Sequence, residues 1–213
     1  MINFDPSDSL AVLLVVSRFL AKLAIVAADA SASELSISLG GRLLLASPSL
    51  TDGTFDRSVI ILAEHSAKEG ALGVIINHRT DTRVGDLLKD AEFAPLRELP
   101  IYQGGPLSTS ELTFSSFSWS NKSGLDYQIR IPADVAADLM KNSKHIVHAT
   151  LGHSAWAPGQ LEDELQRNTW IPAKPAKNLL TTPHDITLWQ DLMKNISPYH
   201  HLLATAPKNP FLN

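Results

Sequence analysis

The chain contains no cysteine among its 213 residues. This absence excludes disulfides, thiolate-held metals and thiol nucleophiles together, and it is typical of a protein in a reducing compartment. We therefore expect a cytoplasmic protein. Neither sign of charge is in large excess, because 18 basic and 22 acidic residues leave a formal net charge of −4. Without a basic surplus, the sequence argues against direct DNA binding.

The common catalytic signatures are missing as well. The sequence has no GxSxG nucleophile elbow, no GxxxxGK[ST] phosphate loop, no GxGxxG fingerprint and no HExxH motif. These absences favour a non-catalytic binding or regulatory module, and we expect no metal and no other cofactor. The tightest histidine cluster is His145, His148 and His153. A strand there would turn His145 and His148 to opposite faces, which argues against a shared metal.

One long apolar run stands near the N-terminus. Residues 10–28 read LAVLLVVSRFLAKLAIVAA, about the length of a membrane span, but Arg18 and Lys22 interrupt them. Two central cations cost about 5–7 kcal/mol, which roughly cancels the gain from the hydrophobic side chains. We therefore interpret residues 1–33 as an apolar helical extension that is buried or supports a homo-oligomer through residues 10–28. A targeting or membrane element is the alternative, and the sequence argues against it.

Residues 34–213 are typical of one α/β domain. Apolar runs predict strands at 42–47, 57–63, 72–76, 112–117, 127–131, 146–151 and 169–172. Periodic segments predict helices at 84–91, 133–142, 158–167 and 183–196. Gly70 closes a polar segment between the second and third strands, which suits a hairpin. Strand pairs separated by helices predict a mixed β-sheet with flanking helices, and strands this apolar are usually covered on both faces.

The densest polar segment spans residues 48–77. Five of its residues stand at the ends of two strands that we expect to pair: Asp52, Arg57, Glu64, His65 and Asn77. Such side chains commonly satisfy backbone groups at loops. The alternative is a pocket in which Arg57 offers its planar five-donor fork to an anion. Backbone amides of Gly104 and Gly105 would assist it.

The leading hypothesis is a site for a small anionic ligand or a protein partner, formed by Arg57, His65 and Asn77 beside the glycine pair. Gln160, one helical turn from Glu164, would point toward this cluster.

An enzyme of unrecognised type is the alternative, with Glu64 or His65 as acid or base. Asp52, Ser58 and His65 have the residue types of a hydrolytic triad, but a strand separates Ser58 from His65. A third hypothesis, direct DNA binding, would need a basic face built from Arg79, Arg83, Lys174 and Lys177.

These motifs resemble the YqgE/AlgH family, a bacterial family largely without assigned biochemistry. Its pattern P-S-L, D-x-x-F-x-R-S-V, E-H and G-x-x-I-N is met between Pro48 and Asn77, and its G-G-P at residues 104–106. Its later G-x-x-G-W-x-P-G-Q-L block is met at residues 152–161, with Ala155 where the family usually has glycine. The resemblance covers residues 39–196. It implies a mixed sheet curled into a pseudo-barrel and an association with transcriptional regulation of alginate genes, but no catalytic residue.

Overall fold

The computed structural model describes residues 38–66 and 68–205. The expectations for residues 1–33, including oligomerisation through residues 10–28, lie outside that part of the chain. The strands are β1 (Leu43–Ala46), β2 (Val59–Ser66), β3 (Gly70–Ile75), β4 (Arg79–Arg83), β5 (Pro100–Gln103), β6 (Leu107–Ser120), β7 (Gly124–Ile131), β8 (Ile146–Trp156) and β9 (Trp170–Ala173). The α-helices are α1 (Val84–Leu87), α2 (Ala133–Met140), α3 (Gln160–Gln166), α4 (Ile186–Lys194) and α5 (Pro198–Thr205). Two 3-10 helices span Ala91–Leu96 and Lys177–Leu180.

The strands form one mixed sheet. Its order is β4-β5-β8-β3-β2-β1-β9, with β6 paired to β8 and β7 paired to β6. The ladder between β5 and β8 is parallel, whereas β8 pairs antiparallel with β6 and β3. The sheet curls into a half-barrel with flanking helices. This confirms the predicted fold class, and β2 and β3 form the predicted hairpin.

Strand β8 changes partners at Gly152. Before this residue, Ala149 lies opposite Ile101 of β5. After it, Ser154 lies opposite Gly73 of β3. Gly152 has a φ of +75°, and a Cβ there would lie 2.6 Å from a carbonyl oxygen of β6. Glycine therefore allows the bend that joins the two parts of the sheet.

Strands β1 and β2 are buried on both faces, because their side chains alternate between two apolar clusters. One cluster joins the sheet to α4 and includes Leu43, Leu45, Val59, Ile61, Trp189 and Met193. The other joins it to α3 and includes Leu44, Ile60, Leu62, Trp156, Leu161 and Trp170. A third cluster, around Val84, Ile101 and Phe114, lies under α2. The uniformly apolar strands are thus covered on both sides, as predicted.

Several boundaries differ from the prediction. Residues 79–83 form an edge strand, β4, which carries no run of apolar residues because its side chains are exposed or half-buried. Strand β8 continues five residues beyond the predicted end, since Gly152 lets it bend. The segment after Ser197, for which no helix or strand is predicted, contains α5, whose Ala204 is buried and accepts a hydrogen bond from Gln190 of α4.

Within the described ranges, no helix is both long and apolar enough to cross a membrane.

Candidate functional site

The predicted site residues divide between the two ends of β2. Arg57 and Asn77 lie where β2 begins, and His65 lies opposite Ala71 where β2 ends. Eight residue steps, most of them along extended chain, separate Arg57 from His65, which corresponds to roughly 25 Å. The expectation that one hollow gathers Arg57, His65 and Asn77 is therefore wrong, because the hairpin places them at opposite ends.

Asn77 connects the end of β3 to the start of β2. Its side chain is 1% exposed. Its Oδ1 accepts a hydrogen bond from the Val59 N–H at 2.7 Å, and its Nδ2 donates to the Arg57 carbonyl at 2.9 Å. Both functional atoms of the amide are thus used by backbone. Asn77 therefore fixes the backbone on both sides of Ser58, where β2 begins, and its burial turns the amide away from solvent.

Arg57 has a backbone conformation that side chains rarely adopt. Its φ is +55°, in the left-handed region. Its guanidinium carbon lies 5.4 Å from the centroid of the Trp189 ring, within cation–π range. No hydrogen bond or ion pair joins this guanidinium to any residue that the structure describes. The guanidinium therefore lies over the Trp189 ring, and no described residue uses its donors.

The glycine pair lies where the chain after β5 packs closely against β8 and β3. The Gly104 N–H donates to the Leu151 carbonyl, and the Gly104 carbonyl accepts from Ile75, both at 2.8 Å. A Cβ at Gly104 would lie 2.4 Å from the Gly152 carbonyl oxygen. The pair lies near Asn77, but the Gly104 N–H already donates its hydrogen bond to β8. The expectation that this amide assists anion binding is therefore wrong.

A second arginine lies on the same side of the sheet. Arg79 faces Tyr102 across the β4–β5 ladder and acts electrostatically on Asp185, which precedes α4. The pKa of Asp185 is lowered mainly by hydrogen bonds from the Thr187 hydroxyl and N–H, and further by Arg79. Two arginines therefore border the first turns of α4. We call this region the Arg57 corner and define it by Arg57, Asn77, Arg79, Asp185 and Trp189.

A buried histidine pair lies behind Tyr102, and sequence reasoning missed it. His148 and His184 are 4% and 7% exposed, and His148 Nε2 lies 2.7 Å from His184 Nδ1. His184 Nε2 must donate to the Leu179 carbonyl, so in the neutral pair His148 Nε2 donates to His184 Nδ1. Burial lowers the pKa of both rings, that of His148 well below its usual value. Thirty-six residues separate the two, and no spacing in the sequence connects them.

Three buried ring nitrogens have no hydrogen-bond partner among the described residues, and one of them, His145 Nδ1, lies just before β8. His148 Nδ1 and His78 Nε2 are buried without a hydrogen bond to any described residue. Burial lowers the pKa of His78 more than the neighbouring Asp56 raises it. Tyr102 stacks on His148 with ring centroids 4.4 Å apart. No group of three metal-ligating side chains occurs in the described part of the chain.

At the other end of β2, His65 is fully engaged. Its side chain is 4% exposed, its Nδ1 accepts from the Leu39 N–H at 3.1 Å, and its Nε2 contacts Glu162 Oε1 at 3.0 Å. These bonds fix the tautomer with the proton on Nε2. Both nitrogens are occupied, so His65 cannot exchange a proton with substrate without breaking a structural bond. Glu64 is exposed at a bulge in β2.

Gln160 and Glu164 form a network within α3 and its surroundings. Gln160 Oε1 accepts from the Ala157 N–H at 3.0 Å, and its Nε2 donates to Glu164 at 2.9 Å. Glu164 Oε2 accepts from the indoles of Trp156 and Trp170 at 2.8 and 2.6 Å. Gln160 therefore points to its own helix start and not to the Arg57 corner, contrary to expectation.

The residues with triad chemistry have separate local roles. The Ser58 hydroxyl donates to the Phe55 carbonyl at 2.8 Å. Asp52 accepts from the N–H groups of Thr54 and Phe55 in the loop before β2. Neither residue contacts His65 at the far end of the strand, so no triad is formed.

Comparison with known proteins identifies relatives over most of the chain. A family model described as AlgH-like matches residues 43–200. A UPF0301 protein of Streptomyces coelicolor is 31% identical over 188 residues, covering 83% of this chain and 96% of the relative. Another, from Streptomyces avermitilis, is 30% identical over 190 residues, with the same coverage of 83% and 96%.

Two solved structures have the same fold. The crystal structure of protein DIP2367 from Corynebacterium diphtheriae has a TM-score of 0.61 and 24% identity, covering 78% of this chain and 92% of that one. The solution structure of AlgH from Pseudomonas aeruginosa has a TM-score of 0.57 and 23% identity, covering 81% and 96%. At these identities the likeness concerns the fold alone.

Proposed function

The chain belongs to the AlgH-like family, and we propose that it is a non-catalytic module whose Arg57 corner binds a small anion. The observation that carries this proposal is the Arg57 guanidinium, stacked over Trp189 with no side-chain partner among the described residues. A planar fork of this kind matches the two oxygens of a carboxylate or phosphate group. The ligand class is therefore a small carboxylate or phosphate compound.

The backbone at Arg57 supports this assignment. A left-handed conformation costs a residue with a side chain roughly 1–2 kcal/mol, and it persists where the surroundings impose it. Asn77 imposes it by holding the Arg57 carbonyl at 2.9 Å. Glycine would avoid this cost, yet the chain has arginine there. A binding role explains both the strained backbone at Arg57 and the guanidinium donors that no described residue uses.

Neighbouring charges favour an anion at this place. Arg79 adds a second positive charge on the same side of the sheet. Asp185 is engaged by Thr187 at 2.7 and 2.8 Å, as expected for a helix cap, and forms no ion pair within 4 Å in the described part of the chain. The corner therefore combines one engaged carboxylate with two guanidinium groups.

A regulatory role would act through this ligand and a protein partner. The resemblance to the YqgE/AlgH family carries an association with transcriptional regulation, and the net charge of −4 disfavours direct contact with DNA. Of the four basic residues considered for such contact, Arg83 is paired with Glu98. We assign this role to the cytoplasm on the basis of the cysteine-free composition.

A thermal-shift titration with inorganic phosphate, citrate and glucose 6-phosphate tests the proposal. At 100 times its Kd, a ligand adds about 2.7 kcal/mol of stability, or roughly 5–10 °C in Tm for a protein of this size. Arg57→Ala should abolish the shift, and Arg57→Lys should retain a small part of it, because lysine keeps the charge and loses the fork.

Arg130 provides a matched control for the same titration. It also has a φ of +55°, but its guanidinium is paired with Glu111 at 3.0 Å. Arg130→Ala should leave the ligand-induced shift intact. The proposal fails if none of the three compounds stabilises the wild type, or if Arg57→Ala keeps the full shift.

A further inference from the structure

A cavity of about 400 Å³ lies between the end of β6, the start of β8 and the second 3-10 helix. It is remote in sequence from Arg57 and Asn77. Its lining combines apolar, hydroxyl, amide and ammonium groups: Trp119, Asn121, Ser143, Lys144, Ile146, Lys177, Leu180 and Thr181. We call it the Trp119 cavity. Its volume lies in the range of sites that enclose small organic ligands.

Trp119 differs from the other three tryptophans. The indole N–H groups of Trp156 and Trp170 donate to Glu164, and that of Trp189 donates to the Ala46 carbonyl. The Trp119 N–H has no acceptor among the residues described. Trp119 is half-buried and packs against the cluster that contains α4. It therefore offers a fixed aromatic surface and an unused donor to the cavity.

The two lysines of the cavity have no acidic partner in the part of the chain that the structure describes. Lys141 and Lys194 pair with aspartates three residues away, at 2.6 and 3.3 Å. Lys144 and Lys177 are exposed, and neither forms an ion pair with any residue in the described ranges. They come from two different segments, the loop before β8 and the second 3-10 helix. The cavity thus brings together two uncompensated positive charges.

Hydrogen bonds hold the wall that carries Lys177. His184 Nε2 donates to the Leu179 carbonyl at 2.7 Å, inside the 3-10 helix. The hydroxyls of Thr181 and Thr182 both donate to the Asn178 carbonyl, at 3.1 and 2.9 Å. This wall is therefore fixed before any ligand binds, which lowers the entropic cost of binding.

We infer that the Trp119 cavity binds a mononucleotide, with the base against Trp119 and the phosphate between Lys144 and Lys177. Every nucleobase can stack on tryptophan, because each has a π-face, and two neighbouring ammonium groups favour a phosphate. The apolar residues Ile146 and Leu180 disfavour a bare inorganic anion. Two lysines on a chain of net charge −4 are too few for a long nucleic acid track. This inference is independent of the proposed anion site at Arg57.

Titration calorimetry and tryptophan fluorescence with adenosine 5′-monophosphate and adenosine test the inference. We expect the nucleotide to bind and to quench the emission of Trp119, and Trp119→Phe to remove that quenching. Lys144→Gln with Lys177→Gln should raise the Kd for the nucleotide by about tenfold, since each exposed charge pair contributes a few-fold. Adenosine, which lacks the phosphate, should bind the wild type and the double variant equally.

Lys174→Gln is the matched control, because it removes an exposed lysine from the same segment outside the cavity. It should leave the nucleotide Kd unchanged. The inference is overturned if the nucleotide does not bind at millimolar concentration, or if the lysine substitutions weaken nucleotide and adenosine equally. It is also overturned if a short single-stranded oligonucleotide binds more tightly at the same residues, or if only Arg57→Ala abolishes nucleotide binding.

Discussion

The two ends of strand β2 carry similar polar residues but differ in how completely they are used. At the far end, both nitrogens of His65 have partners, and Glu164 accepts from two indoles. At the near end, the Asn77 amide bonds to backbone through both its oxygen and its nitrogen, whereas the Arg57 fork has no hydrogen-bond or ion-pair partner in the described part of the chain. The far end is a structural network, and the near end keeps binding capacity.

This difference distinguishes a polar residue that only satisfies backbone groups from one that can bind a ligand. Polar residues at strand ends commonly satisfy backbone groups, so their presence alone predicts no function. A binding group is distinguished by donors that the fold orients and does not use. Arg57 meets this condition because Asn77 holds its backbone and Trp189 supports its side chain. His65 does not, because Leu39 and Glu162 use both of its nitrogens.

Substitution of Asn77 should have the largest effect on stability. Asn77→Ala leaves the Val59 N–H and the Arg57 carbonyl without partners, at about 1–3 kcal/mol for each buried group. We expect a loss of about 2–4 kcal/mol in the free energy of unfolding, measured in urea. Asn195→Ala, which removes an exposed amide that donates to Asp191, should cost less than about 0.5 kcal/mol. Equal losses in the two variants would contradict the role assigned to Asn77.

Glu164 tests the far end of β2. Glu164→Ala leaves the indole N–H groups of Trp156 and Trp170 without their acceptor. Because hydrogen bonds to a charged group contribute about 1.5–3 kcal/mol, we expect a loss of about 2–3 kcal/mol in unfolding free energy. Glu164→Gln keeps one acceptor oxygen and should lose about half as much. Anion binding at Arg57 should be unchanged in both variants, and a coupled loss would show that the ends are not independent.

The buried histidines predict a pH dependence. Burial lowers the pKa of His148, His184 and His78 in the folded protein. Below the unfolded value of about 6.5, the unfolded chain binds more protons than the folded one, so stability falls as pH falls. The stability that these neutral histidines contribute is fully present above pH 6.5. It is lost as the pH falls toward their lowered pKa values in the folded protein. We expect urea unfolding between pH 7.5 and 5 to show a slope of up to about 1.4 kcal/mol per unit for each proton bound on unfolding.

His148→Phe sharpens this test. Phenylalanine keeps a ring against Tyr102 and removes the most strongly shifted group. The slope of unfolding free energy against pH should therefore become smaller than in the wild type. A slope that is the same in the variant would show that His148 is not the source of the dependence.

Arg57→Gly should have the smallest effect on stability. It relieves a left-handed strain of roughly 1–2 kcal/mol, and this gain is offset by the loss of the Trp189 contact and the greater freedom of glycine when unfolded. We expect a net change within about 0.5 kcal/mol, measured by urea unfolding, together with complete loss of anion binding. A loss of stability above about 2 kcal/mol would mean that Arg57 is structural.

The central hairpin could be predicted from sequence because its pattern is local. The apolar runs of β2 and β3 and the turn at Gly70 predict pairing, and pairing brings Asn77 back beside Arg57. The same reasoning misplaces His65, because it groups strand-end residues without asking which end they occupy. Strand β4 carries no apolar run, since its side chains lie at a partly exposed sheet edge.

The rest of the site depends on contacts between distant segments. The His148–His184 pair forms because β8 passes beneath the loop that leads into α4, and no local pattern encodes that crossing. Trp189 lies 132 positions after Arg57, and its role as a support for the guanidinium requires the packed helix α4. In both cases tertiary packing determines which residue a side chain contacts, and local secondary-structure propensity does not.

The most direct measurement is a two-dimensional NMR titration that follows arginine Nε–Hε resonances as inorganic phosphate is added. The Arg57 resonance should shift and saturate, because its fork binds the anion. The Arg130 resonance should stay fixed, because Glu111 already occupies its guanidinium. An unmoved Arg57 resonance at saturating phosphate, or equal shifts of both arginines, would contradict the account.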